Sequence, residues 1–94
     1  MRIKAELEPD IQDEAPTVSA LTDYDRLHVV TYMRLLDSLE DPTATWEEAC
    51  QLVLRIDPAR EPARARRAYD THLTRARWMT ESGYADLLRE ARLH

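Results

Sequence analysis

A single glycine among 94 residues, no phenylalanine, and abundant Ala, Leu, Arg and Glu leave this chain few ways to fold other than as helices. Straight-chain side chains lose little rotamer freedom in a helix, so the expected class is all-α, with four main helices. An ordered part of about 70 residues buries only about 60% of the surface its unfolded chain exposes, which leaves little room for a deep enzyme pocket. One cysteine excludes an internal disulfide framework, and with three scattered histidines it argues against a structural zinc site. Met1-Arg2-Ile3-Lys4 runs straight into acidic residues without an apolar core, and no stretch approaches the roughly 18 apolar residues of a membrane span. A cytoplasmic protein without a signal peptide is expected.

Residues 1–20 carry Glu6, Glu8, Asp10, Asp13 and Glu14 with Pro9 and Pro16, and their few aliphatic residues follow no helical period. That pattern predicts a disordered, mobile acidic arm, either a solvated tail or a segment that orders on a basic partner. Residues 21–94 form the expected helical domain. Thr22 followed by Asp25 resembles a capping box, and a first helix should run to about Leu39, before Asp41-Pro42. Val29, Tyr32, Met33, Leu36 and Leu39 fall on one arc as its core face. Leu27 and Val30 lie outside that arc beside Arg34, so the helix either packs on two sides or offers apolar surface to a partner.

Thr45-Trp46-Glu47-Glu48 is a full capping box and starts the second helix, with Trp46, Ala49, Leu52, Val53 and Ile56 as its stripe. Cys50 flanks that stripe as a small buried hydrophobe. Asp57-Pro58 breaks the helix and Glu61-Pro62 opens the third, which should run to about Glu81 and close at Ser82-Gly83 with glycine in a left-handed cap. Its stripe is Ala65, Ala68, Tyr69, His72, Leu73, Ala76 and Met79, with His72 as an interior histidine. Leu87, Leu88 and Ala91 face inward on a short last helix. Trp78 lies on the far side of the third helix, in line with Arg67, Thr71 and Thr74. It is either covered by Tyr84 and the last helix or left as a binding anchor.

Charge is unevenly placed. The whole chain is −5, with a pI near 5.1, and twelve of its thirteen basic residues are arginine. Residues 58–79 hold six arginines against Glu61 and Asp70, a net of +4 that leaves −9 on the rest. A capped helix, a turn and a longer helix whose first turns carry Arg64, Arg66 and Arg67 is the outline of a helix-turn-helix, whose second helix presents its N-terminal residues to the major groove. Arginine forks suit guanine, phosphate and carboxylate alike. The turn is longer than usual and a surround of −9 opposes phosphate approach, so the same arginines also fit a solvated face paired with local acids. His28 could neighbour Tyr24 or Tyr32, but no nucleophile with a defined partner, phosphate cradle or metal-ligand spacing accompanies it. No enzymatic activity and no cofactor are expected.

The run Leu21-Thr22-Asp23-Tyr24-Asp25-Arg26 through Thr31-Tyr32-Met33-Arg34-Leu35-Leu36-Asp37, then Ile56-Asp57-Pro58, Arg64-Ala65-Arg66-Arg67-Ala68-Tyr69, Arg77-Trp78-Met79-Thr80 and Gly83-Tyr84, resembles a domain-of-unknown-function family found in regulators of integrative and conjugative elements. The resemblance covers about residues 20–90. It implies an extended-turn variant of the helix-turn-helix and two alternative roles. One is a transcriptional antiactivator that docks on the N-terminal domain of a conjugative-element activator, and on a LuxR-type quorum-sensing regulator as a second partner. The other is a sequence-specific DNA-binding regulator. Helical geometry offers Tyr24, Leu27, Val30, Arg34 and Trp78 for the first role and Arg64, Arg66 and Arg67 for the second.

Overall fold

The computed structural model describes Ala5 and residues 7–93, Leu93 by its backbone alone. Helices are the only regular elements among these residues: α1 (Asp23–Leu27), α2 (Val29–Glu40), α3 (Trp46–Ala49), α4 (Pro62–Trp78) and α5 (Tyr84–Leu93). A π-helical turn at Cys50–Leu54 prolongs α3, and a second at Met79–Gly83 joins α4 to α5.

Thr22 closes a reciprocal capping box. Its hydroxyl accepts from the Asp25 amide at 3.2 Å, and the Asp25 carboxylate accepts from the Thr22 amide at 2.9 Å. The expected first helix is broken at His28, whose amide is shared between the Tyr24 and Asp25 carbonyls at 3.0 and 3.2 Å, a tightened turn that resets the helical phase. As a result α2 buries Thr31, Tyr32 and Leu35, while Met33 and Leu39, read as core, are 50% and 46% exposed. Tyr32 joins a cluster with Ala76 and Met79, and Leu35 joins another with Leu54, Ile56 and Ala65, so α2 packs on two sides.

Thr45 caps α3 by accepting from the Glu48 amide at 3.2 Å, but the Glu48 carboxylate takes the Thr45 hydroxyl rather than its amide. The π turn inserts an extra residue per turn and rotates the residues beyond it about the helix axis. Leu52, expected inside, is 76% exposed, and Leu54 is buried in its place. Arg55 then takes a left-handed conformation at φ 59° and ψ 38° to leave the helix. Cys50 is fully buried, its thiol donating to the Ala65 carbonyl at 3.4 Å, and burial pushes its pKa up to about 11.

Pro62 occupies the first turn of α4, where its missing amide costs no hydrogen bond. Ala65, Ala68, Tyr69, His72, Ala76 and Met79 all point inward as their spacing requires. The left-handed glycine cap is not formed: Gly83 has no positive φ, and the helical path continues into α5. Gly83 serves close approach instead, since a Cβ there would lie 2.5 Å from Met79 Sδ and 2.8 Å from Trp78 Cζ3. Arg26 grips Glu90 with Nε and a terminal nitrogen and holds α5 against α1.

The segment expected as an acidic arm lies against the helical body. From Leu7 to Ala20 the chain has no regular secondary structure, yet it is fastened along the helices. Pro9 and Ala15 are buried, the His28 ring meets the Asp10 carbonyl at 2.7 Å, and Arg34 donates to the Leu7 carbonyl at 3.2 Å. Backbone groups that find no partner within their own segment find them on side chains of the helical body. Residues 1–4 and Glu6 of the expected arm lie outside the described residues.

Candidate interaction surface

The three arginines that a DNA-reading helix would present all meet carboxylates. Arg64 pairs with Asp13 at 2.7 Å and with Glu61 at 3.0 Å, Arg66 with Asp70 at 3.2 Å, and Arg67 with Glu14. Arg66 also stacks over Trp46, 4.8 Å from the ring centroid, and over Tyr69 at 5.6 Å. Among the described residues Arg60 and Arg77 have no carboxylate partner. The basic segment is therefore real in sequence and largely neutralised in space, two of its pairs being made by the acidic arm.

Arg75 has a different role, which sequence reasoning missed. It is 3% exposed and meets the fully buried Asp25 side on, Nε to Oδ1 at 3.0 Å and a terminal nitrogen to Oδ2 at 2.6 Å. Two further guanidinium hydrogens reach the Val18 and Ala20 carbonyls at 2.6 and 2.8 Å, and Tyr32 donates its hydroxyl to Asp25 at 2.7 Å. Burial works to raise the Asp25 carboxyl; the hydrogen bonds from Arg75, Thr22 and Tyr32 outweigh it and hold the pKa below the ordinary carboxylate value. One ion pair thus ties α1, α2, α4 and the end of the arm. Asp25 reads locally as a helix-cap acid and Arg75 as one arginine of six, and nothing in sequence joins positions 50 residues apart.

The candidates for protein contact separate into two places. Leu27 and Val30 remain half-buried on α1 and α2, with Arg34 exposed nearby and Met33 added to the outward face. Tyr24 is half-buried and already engaged within the chain: its hydroxyl meets His72 Nε2 at 2.6 Å and accepts from the Gln12 amide at 3.1 Å, and its ring stacks on His28 at 3.7 Å. Trp78 packs against the Tyr32 cluster, lies under the Arg75 guanidinium at 3.8 Å, and borders a cavity of about 300 Å³ with Pro16, Thr17, Thr71 and Thr74. Among the described residues no three His, Cys, Asp or Glu side chains gather into a metal-holding group, and no helix is long and apolar enough to cross a membrane.

His72 is an interior histidine with a defined tautomer. Its Nδ1 bonds the Ala68 carbonyl at 2.7 Å and so carries the proton, which leaves Nε2 to accept from Tyr24. Burial lowers its pKa, opposed by the Ala68 bond and aided by nearby His28. The unfolded chain then takes up this proton first as pH falls through about 6.5, so His72 contributes stability above that value and loses it below. The urea midpoint is expected to fall between pH 7.5 and pH 5.5, and to fall less in His72→Gln; equal slopes would contradict the assignment.

No protein-family model matches this chain, and no curated protein matches it in sequence.

Proposed function

We propose that the protein is a transcriptional antiactivator of the QseM kind, which binds the N-terminal domain of a conjugative-element activator and so blocks excision and transfer of the element. A LuxR-type quorum-sensing regulator is its second partner. The observation that carries this reading is the placement of Asp13, Glu14, Glu61 and Asp70 on Arg64, Arg66 and Arg67. A phosphate backbone would have to displace these carboxylates from a protein of net charge −5, and added salt weakens that competition further. Protein contact needs apolar surface instead, and Leu27, Val30 and Met33 with Arg34 supply it on α1 and α2.

Co-purification with the activator's N-terminal domain tests the reading. Val30→Asp is expected to weaken the complex by about 30-fold or more, the size of one interface hot spot, with helicity by circular dichroism unchanged. Unchanged affinity would remove this surface from the interface. The rival reading, a DNA-binding regulator, requires the protein alone to shift promoter DNA sequence-specifically at about 150 mM salt, and that result would overturn the antiactivator.

A further inference from the structure

We propose that the outer groove of α4 is a receptor for an extended acidic peptide of a partner protein, and that residues 13–18 occupy it in cis as a displaceable stand-in. The arm runs along the helix in the same direction. Asp13 meets Arg64, Glu14 meets Arg67, the Ala15 amide donates to Thr71 Oγ1 at 3.1 Å, and the Val18 carbonyl accepts from Arg75 at 2.6 Å. The order of contacts along the arm is thus the order along α4, from Arg64 through Arg67 and Thr71 to Arg75.

Each position has its own chemistry. The first two take carboxylates at arginine forks, and the third takes a small side chain, since Ala15 is 4% exposed. The fourth and fifth are underfilled: beside Pro16 and Thr17 a cavity of about 300 Å³ opens onto Thr74 and Trp78. A segment of two acids, a small residue and then a bulky apolar side chain would keep every arm contact and fill that space against the Trp78 ring. Exchange is open to the cis segment because its two ion pairs are exposed, with Arg67 and Glu14 at 69% and 53%, and exposed pairs hold weakly and are screened by salt. An attached arm competes at a high effective concentration, so a free segment gains access only when it fits better or when the arm is weakened. None of this depends on the identity of an activator.

Fluorescence anisotropy on the full-length chain tests the groove, with labelled peptides of residues 9–19 in the chain's own sequence and with Thr17→Leu. Asp13→Arg with Glu14→Arg in the protein repels the arm from Arg64 and Arg67, and is expected to bind the peptide at least about tenfold more tightly than wild type. The Thr17→Leu peptide should bind more tightly than the unchanged one, and Arg64→Glu with Arg67→Glu in the protein should abolish binding of both. The milder Asp13→Asn with Glu14→Gln pair should move affinity in the same direction and serves if the reversed charges disturb folding. Failure of both arm variants to bind peptide while helical, or binding indifferent to Arg64 and Arg67, would overturn the receptor. Capture of duplex DNA instead of peptide by either arm variant at about 150 mM salt would also overturn it and make the arm a mask over a nucleic-acid face. The assay contains no activator, so its failure is distinct from a failed co-purification.

Discussion

Arg75→Ala is expected to lower the stability of the fold by about 3–5 kcal/mol. The substitution abandons the Asp25 carboxylate in a fully buried position and removes the donors that hold the Val18 and Ala20 carbonyls. Breaking a buried pair by deleting one partner costs about 3–5 kcal/mol, because the remaining charge has neither water nor counter-charge. At roughly 0.05–0.15 kcal/mol per residue a chain of this length has about 5–14 kcal/mol in all, so the loss takes much of it. Arg75→Lys keeps the charge but not the planar fork, and should fall between. Asp25→Asn with Arg75→Met removes both charges and should recover part of the loss. Urea titration followed by far-UV circular dichroism reads all three; an Arg75→Ala protein within about 1 kcal/mol of wild type would show that the pair adds little.

Gly83→Val carries the next largest effect. Helix propensity alone favours the change, since glycine is the poorest helix former after proline. Packing opposes it. A Cβ at this position would meet Met79 Sδ at 2.5 Å and Trp78 Cζ3 at 2.8 Å, and Met79 is fully buried, so its thioether can move only within the core. Forcing extra methyl groups into such a site costs about 1–3 kcal/mol, and the branched valine belongs at the upper end. The midpoint should drop for Gly83→Val and less for Gly83→Ala. A rise in stability with alanine would mean that propensity governs and that the two side chains yield.

Gly83 also shows where local reading goes astray. Ser82-Gly83 has the composition of a helix stop, and the chain uses it as a thin point in a continuing helix. The two π turns have the same effect on the stripes. Trp46 and Ala49 fall where their spacing puts them, but past Cys50 the phase moves, so Leu52 turns outward and Leu54 inward. In α4, where no extra residue intervenes until Met79, the apolar spacing gives Ala65, Ala68, Tyr69, His72 and Ala76 as buried, while Leu73 is partly buried and Arg75 joins the buried face unannounced. The candidate surface divides in the same way: Leu27 and Val30 stay half-buried beside an exposed Arg34, whereas the hydroxyl of the equally half-buried Tyr24 is taken up by His72, a residue 48 positions away.

What sequence determined by itself was the all-α class and the places where α1, α3, α4 and α5 begin, because caps, proline stops and helical periods are decided among residues three or four apart, where the chain's own geometry brings the groups together. The tertiary structure alone decided which charges meet. Asp25 with Arg75, Asp13 with Arg64 and Glu14 with Arg67 are joined across about 50 residues. An arginine forks onto phosphate and carboxylate with the same geometry, so only the positions of the helices and the arm assign these three to carboxylates of their own chain.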